Sequence, residues 1–129
     1  MSYYILNGKI PVEEPDILAW DTWRKNHSRI VRKDFLNAEN TILVSTVFLG
    51  IDQRFTPLPN PPGPPILFET IIFGLADMED YQERCCTWEE AEEMHREALR
   101  ALIKVVESDP SEDSKILVAA RKALVEADG

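Results

Sequence analysis

The sequence predicts a single α+β domain: an antiparallel sheet of four to five strands, helices packed mainly on one face, and a C-terminal helical hairpin. The chain has 129 residues, 44% of them hydrophobic, which suits one domain with its own core. Its first half carries short β-branched and aromatic runs separated by turn residues. Its last third carries two long runs of helical period. We expect one domain over 1–129, with a proline-rich loop at 57–65 and the C-terminal helices within 88–127.

The N-terminal segment predicts a strand followed by a helix. The run YYILNGKI is aromatic and β-branched and stops at Pro11, so it predicts a first strand. The next run, VEEPDILAWDTWRKNHS, predicts a short helix in which Pro15 suits the first helical position. Trp20 and Trp23 lie on its apolar face.

Two further runs, RIVRKDFL and TILVSTVFLGID, predict a hairpin, because the polar NAEN between them is rich in turn-forming asparagine. The second run is too continuously apolar for a strand with one wet face, so we place it centrally in the sheet. Gly50 near its end indicates a bulge or a close backbone approach.

The run ILFETIIFG predicts the strand that pairs with TILVSTVFLGID. The loop before it contains PLPNPPGPP, whose prolines fix φ and lack a hydrogen-bond donor, so the loop cannot join the sheet. Prolines also remove conformational freedom from the unfolded chain. We therefore expect a stiff arm, which serves either recognition or as a cover over one end of the sheet.

The C-terminal part predicts a brief strand at QERCC and then two helices. Thr87 is a candidate N-cap, and Glu90 three residues later completes a capping box. SDP ends the first helix, and Ser111 begins the second. We expect the two helices to form an antiparallel hairpin.

The charge distribution narrows the range of partners. The net charge is −9, and the segment 77–113 carries most of the excess acid. The stretch 24–33, RKNHSRIVRK, is basic and contains no acid. Because tracking a phosphate backbone needs distributed Lys and Arg, general nucleic-acid binding is disfavoured. The basic stretch could still hold one small anion, or simply balance nearby acids.

Several classes of protein are disfavoured by what the sequence lacks. No run approaches the roughly 20 apolar residues that span a bilayer, and the N-terminal segment does not have the pattern of a signal peptide. Cys85 and Cys86 are adjacent, so no disulfide framework is expected. No phosphate-binding glycine loop, HExxH or paired CxxC occurs, and we predict neither a cofactor nor a metal.

Three groups of residues could carry chemistry. Glu92 and His95 lie three apart on the long helix, a spacing used in helical metal sites, but such sites need a second pair. Cys85 or Cys86 with His95 could form a nucleophile and base, since the cysteines precede a helix N-terminus that favours a thiolate. Nothing in the sequence marks an orienting third group, so the interpretation of both cysteines as small buried apolar side chains is favoured.

Glu69 is the third candidate, an acid among apolar neighbours in mid-strand. A carboxylate there is costly unless it is paired. Arg54 and the basic stretch 24–33 are its candidate partners. A functional and a structural pairing are equally compatible with the sequence.

The block STVFLGID-x-RF, the proline-glycine stretch, PPILFETIIFG and YQERCCTWEEAEEMH resembles a family of small uncharacterised proteins encoded by phages and prophages. The resemblance covers roughly residues 3–100. In that family an Asp-His pair commonly follows FLG-hydrophobic and a Gly-His closes EAE-x-x-H, whereas this chain has Gln53 and Met94 at the corresponding positions. The resemblance implies a phage context and the cytoplasm of a bacterial host, and it brings no reaction.

The leading hypothesis is a non-catalytic phage accessory protein that binds a host component, for example by inhibiting a bacterial defence or regulatory protein. Its size, acidity and stiff arm favour this. The expected contact residues are in the arm and on the acidic helix: Phe55, Leu58, Asn60, Glu89, Glu92 and Glu93.

Two alternatives remain open. A binder of small anions, such as one that sequesters a nucleotide signal, would use Arg54 or the stretch 24–33 for phosphate and Trp20 or Trp23 for stacking. A small hydrolase would use Asp52, Glu69 and His95. An apolar patch at Trp20, Trp23, Phe55 and Leu58 would in addition favour a homo-oligomer.

Overall fold

The structure is a computed structural model that describes residues 2–54, 56, 58–59, 61–109 and 114–129. Its described part contains two antiparallel sheets and three α-helices, together with a 3₁₀ turn at Ala76–Met78. The predicted α+β class is therefore confirmed. The elements are β1 (Tyr4–Asn7), β2 (Ile10–Glu13), α1 (Ile17–Asn26), β3 (Ile30–Phe35), β4 (Leu43–Phe48), β5 (Phe68–Phe73), β6 (Gln82–Cys85), α2 (Trp88–Glu107) and α3 (Ser114–Asp128).

The larger sheet has four strands in the order β3-β4-β5-β6, each antiparallel to its neighbours. The predicted pairing of the two most apolar runs is confirmed, since β4 and β5 pair in register from Leu43 opposite Phe73 to Phe48 opposite Phe68. β4 is central, and four of its six residues are buried. β4 thus has a neighbouring strand on each edge, whereas the cover on both faces that its apolar run predicts is incomplete, because Leu43 and Val47 are only half-buried.

The predicted first strand is wrong in one respect, because YYILNGKI contains a turn. β1 and β2 form a two-stranded hairpin around Gly8, whose φ of +65° suits glycine. Pro11 lies inside β2 instead of ending the strand, a place it tolerates because β2 is an edge. The hairpin is attached to the larger sheet where the Tyr4 amide donates to the Gly50 carbonyl at 2.8 Å.

α1 begins at Ile17, two residues later than the predicted start at Pro15. Asp16 is its N-cap and accepts a hydrogen bond from the Leu18 amide at 2.9 Å, so Pro15 precedes the helix. Trp20 is buried, and its indole N–H donates to the carbonyls of Tyr4 and Gly50, each at 3.1 Å. The close approach predicted at Gly50 is confirmed, because an added Cβ would lie 3.1 Å from that indole nitrogen.

α2 crosses one face of the larger sheet and contributes more buried apolar residues to the core than any other element of the described chain. The predicted capping box is present: the Glu90 amide donates to the Thr87 hydroxyl, and the Glu90 carboxylate accepts from the Thr87 amide. The two faces of α2 differ in burial: the outward face is exposed to solvent, and the inward face packs on β4 and β5. Its buried residues are Ala91, His95, Ala98, Leu99, Leu102 and Val106.

α3 runs antiparallel to α2, as predicted for a helical hairpin. Arg121 on α3 pairs with Glu107 near the end of α2, whereas Arg96 near the start of α2 donates to the Ala127 carbonyl. Ser111, the predicted start of this helix, lies outside the described residues. None of the helices in the described part of the chain is long and apolar enough to cross a membrane.

Candidate functional site

The larger sheet has one face that the helices leave open. Residues of β4 and β5 alternate between faces, and Val44, Thr46, Thr70 and Ile72 are buried on the helix side. On the other side, Phe35 and Phe73 remain 51% and 45% exposed, so no element of the described chain covers them. A shallow cavity of about 450 Å³ lies on this side. We call this surface the open face; it comprises Lys33, Phe35, Leu43, Ser45, Val47, Glu69, Ile71, Phe73, Gln82 and Arg84.

The open face is apolar at its centre and charged at its sides. Leu43, Val47 and Ile71 are half-buried beside one another. Glu69 accepts from Arg84 at 2.9 Å, which neutralises that carboxylate. Lys33, on the opposite edge strand, makes no ion pair within the described residues. The face therefore has an apolar centre and one unneutralised cation.

The predicted partner of Glu69 was wrong. Its carboxylate binds Arg84 and the Gln82 side chain of β6 at 2.9 and 2.7 Å, because these residues lie opposite and diagonal to it in the register. Arg84, in the strand predicted at QERCC, thus neutralises the Glu69 carboxylate.

A second surface adjoins the open face and is basic. A cavity of about 420 Å³ lies between the end of α1 and the first half of β3. It shares Lys33 and Val47 with the open face. We call it the basic depression; it is lined by Arg24, His27, Ser28, Arg29, Ile30, Lys33, Val47, Phe48 and Leu49.

His95 is buried in a polar network on the helix side of the sheet. Its Nε2 lies 2.7 Å from Asp34 Oδ2, and its Nδ1 lies 2.7 Å from the Thr46 hydroxyl. The Thr46 hydroxyl is in turn hydrogen-bonded to that of Thr70. Burial alone would raise the pKa of Asp34, but hydrogen bonds from His95 and Arg32 hold it below its ordinary value.

This network has the order carboxylate–imidazole–hydroxyl, yet it does not form an accessible nucleophile. Thr46 and Thr70 are fully buried and His95 is 1% exposed, so a substrate cannot reach either hydroxyl. Every member has a hydrogen-bond partner, as expected of a polar group that joins a helix to a sheet. We interpret it as structural.

The predicted groups around His95 are not assembled. Glu92 is exposed on the outer side of α2, whereas His95 faces the sheet. Glu69 lies on the open face, on the other side of the sheet from His95. The hydrolase hypothesis therefore loses its residue set. Among the described residues, no group of three His, Cys, Asp or Glu side chains could hold a metal ion.

The cysteines at the start of α2 do not supply the thiolate that a nucleophile would need. Burial, reinforced by the Glu90 carboxylate, raises the pKa of the Cys85 thiol to about 12. The same causes raise the pKa of Cys86. Both thiols are therefore protonated at neutral pH, which removes the proposed nucleophile.

Asp52 and Arg54 form a clamp on the proline-rich arm. Arg54 binds the Asp52 carboxylate at 2.7 Å and donates from Nη1 to the carbonyls of residues 61, 62 and 63. Asp52 also accepts from the Ile66 amide. Burial alone would raise the pKa of Asp52, but hydrogen bonds from Arg54 and the two backbone amides lower it. Both residues are thus engaged by the chain itself.

The remaining predicted contact residues are scattered. Trp20 is buried and Trp23 half-buried, so the expected apolar patch around them is not formed by these two rings. Trp23 is stacked on His27 at 5.0 Å. Leu58 is 56% exposed, whereas Phe55 and Asn60 lie outside the described residues.

The acidic helix surface is exposed as predicted, and part of it is neutralised. Glu89 and Glu92 are exposed. Glu93 binds Arg96 and Arg100 at 2.8 and 3.1 Å, and these hydrogen bonds lower its pKa.

Sequence reasoning missed the open face and the partners of His95. Thr46 and Thr70 each interrupt an apolar strand at a position that faces the core, a signal that indicates a polar partner across the layer. Asp34 gave no such signal, because β3 already contains Arg32 and Lys33. Comparisons with models of protein families, with curated proteins and with solved structures found no match, so the resemblance to phage-encoded proteins stays a prediction.

Proposed function

We propose that the protein is a non-catalytic phage accessory protein that binds a bacterial host protein through its open face, as an inhibitor of a defence or regulatory protein in the host cytoplasm. The observation that carries the proposal is the uncovered apolar centre of the sheet, with Phe73 45% exposed beside half-buried Val47 and Ile71. Exposed apolar surface of this kind is costly in a free monomer and is typical of interaction sites. The phage context rests on the sequence resemblance.

Binding is favoured over catalysis by the state of the reactive groups. The imidazole of His95 and the hydroxyl of Thr46 are buried, and the pKa of the Cys85 thiol is raised to about 12. The carboxylates of Asp52 and Glu69 are held by arginines. None of these groups is both accessible and activated.

Charge favours a host protein over a second copy of this chain. Glu69 and Arg84 cancel, so Lys33 leaves the open face with a local excess of positive charge. The whole chain carries −9, and two such copies repel each other. The expected occupant is therefore an apolar segment of a host protein that carries a carboxylate near Lys33.

The test compares two variants with the same charge change in capture from bacterial host lysate, read by quantitative mass spectrometry. Phe73→Asp places a carboxylate on the open face, whereas Val118→Asp places it on α3 at a side chain that is 66% exposed. We expect one host protein to be enriched by the wild type and by Val118→Asp and lost with Phe73→Asp.

Circular dichroism should show that both variants are folded. Equal capture by the two variants would contradict the assignment of the open face. Self-association of the wild type that Phe73→Asp abolishes, without a captured host protein, would instead assign this face to a homo-oligomer.

A further inference from the structure

The basic depression gathers cations from different parts of the chain without a carboxylate among its lining residues in the described structure. Arg24 comes from the last turn of α1, Arg29 from the connection to β3, and Lys33 from β3 itself. The cluster is a locally positive region on a chain whose net charge is −9. A concave cluster of this kind raises the local concentration of anions.

Several hydrogen-bond donors of the depression are not used by the protein. Arg29 and Lys33 make no ion pair within the described residues. Arg24 binds Asp21 through Nη2 at 3.2 Å, but its Nε is buried without a hydrogen-bond partner. That nitrogen is out of a ligand's reach, but the Arg24 side chain as a whole is 38% exposed, and Arg29 and Lys33 are exposed as well.

The imidazole of His27 is held in place. Its Nδ1 lies 2.9 Å from the Trp23 carbonyl, which can only accept, so Nδ1 donates and Nε2 is the ring nitrogen left for a ligand. Its ring is stacked on Trp23 with an angle of 10° between the planes. The rim of the depression is thus partly preorganised.

The floor of the depression is apolar. It is formed by Ile30, Val47, Phe48 and Leu49. The volume of about 420 Å³ is within the range of small-molecule sites, roughly 300–1,000 Å³. An inorganic ion would leave this floor uncovered, whereas an organic anion would bury an apolar body against it.

We propose that the basic depression binds a small organic anion, with its phosphate group on Arg29, Lys33 and Arg24 and its apolar or aromatic body on the floor. Three cations favour a dianionic phosphate over a carboxylate, because it accepts more charge-assisted hydrogen bonds. The depression shares Lys33 and Val47 with the open face, but the proposal does not rest on the proposed function, because Arg24 and Arg29 lie outside that face.

Phenyl phosphate and inorganic phosphate are the probes, titrated against ¹⁵N-labelled protein at an ionic strength of about 0.15 M. Shift changes should be confined to residues 24–33 and 47–49, with phenyl phosphate binding about tenfold tighter than inorganic phosphate, since the ring buries apolar surface. In Arg29→Gln the affinity for phenyl phosphate should fall about tenfold, the loss of one charge-assisted hydrogen bond.

Lys25→Gln is the matched control, because it removes the same charge from the last turn of α1 at a residue outside the depression. It should change the affinity less than about twofold, as expected of a screened surface charge. Phe73→Asp should also keep the phosphate affinity, which separates this site from the open face. Equal losses in Arg29→Gln and Lys25→Gln, or equal affinity for the two probes, would overturn the proposal.

Discussion

His95 connects α2 to the sheet through both ring nitrogens. Its Nε2 binds Asp34 on β3 and its Nδ1 binds Thr46 on β4, each at 2.7 Å. Apolar packing alone would allow α2 to slide over the sheet, whereas two directed hydrogen bonds specify one position. His95 therefore fixes the position of α2 on one face of the sheet, and the opposite face is the open face.

Replacing His95 with leucine tests this role. The substitution keeps apolar volume and removes both hydrogen bonds, while Asp34 retains Arg32 and Thr46 retains Thr70. We expect the free energy of unfolding to fall by about 2–4 kcal/mol, measured by denaturant titration. Glu92→Leu on the exposed side of the same helix should change it by less than about 0.5 kcal/mol. A loss for His95→Leu as small as this control would show that the network contributes only packing.

The lowered pKa of Asp34 gives this network a pH dependence. Because the folded pKa lies below the ordinary value of about 3.9, the stabilisation is fully present above that value and is lost as the pH falls through the folded pKa. We expect Asp34→Asn to destabilise the protein at pH 7 and to matter much less at strongly acid pH, in denaturant titrations at both pH values. The exposed Asp80 gives the control Asp80→Asn, which should leave the profile unchanged. An equal loss for Asp34→Asn at both pH values would contradict the assignment.

At the scale of elements, Gly74 ends β5 where the chain passes very close to the β3–β4 connection. Its φ is +92°, and an added Cβ would overlap the Thr41 carbonyl oxygen. Gly74→Ala should therefore destabilise by about 2 kcal/mol or more, from strain and displaced backbone together, in thermal and denaturant unfolding. Gly8→Ala separates the two causes, since Gly8 has φ +65° with nothing within 4 Å of the added atom. It should cost about 1 kcal/mol, and an equal cost at both positions would refute the close approach.

In the described part of the proline-rich arm, the carbonyls of residues 61–63 accept hydrogen bonds from the Arg54 side chain. Arg54 Nη1 lies 2.7 Å from the Gly63 carbonyl and is itself positioned by Asp52. We expect Arg54→Gln to increase nanosecond motion of the Gly63 amide in ¹⁵N relaxation, because proline stiffens the arm internally but does not fix it to the sheet. Asp52→Asn should show a weaker change in the same direction. Unchanged relaxation in Arg54→Gln would mean that the prolines alone hold the arm.

Elements with strong local signals could be predicted from the sequence. The capping box at Thr87 and Glu90 and the pairing of the two β-branched runs are of this kind, because each depends on neighbouring residues or on continuous apolar sequence. The turn at Gly8 was missed, because the aromatic and β-branched run around it favours one continuous strand. The N-cap Asp16 was missed, because Pro15 also suits a helix start and was taken as the first helical residue.

At the scale of the whole molecule, the candidate site could not be predicted because alternation does not say which face a helix covers. Strand alternation places Glu69, Ile71 and Phe73 on one face of β5, yet their exposure depends on α2 packing against the other face. The basic stretch 24–33 was visible in the sequence. The basic depression itself forms only in the folded chain, where the end of α1 and the start of β3 lie beside Val47.

α3 completes the core, although it follows the part of the sequence that carries the family resemblance. Ile116, Ala120 and Ala123 are buried against α2, and Arg32 donates to the Ala123 carbonyl. Replacing Ile116 with serine removes a buried apolar side chain and leaves a hydroxyl in its place. The free energy of unfolding should fall by about 2–4 kcal/mol, measured by denaturant titration.

The control for α3 is Val118→Ser, which makes a similar change on the same helix at a side chain that is 66% exposed. It should change the free energy of unfolding by less than about 0.5 kcal/mol. If Ile116→Ser were equally mild, α3 would be a peripheral addition and the core would end with α2. If it is severe, the apolar surface of α2 needs the cover that α3 provides, because Leu99, Leu102 and Val106 belong to the cluster that α3 completes.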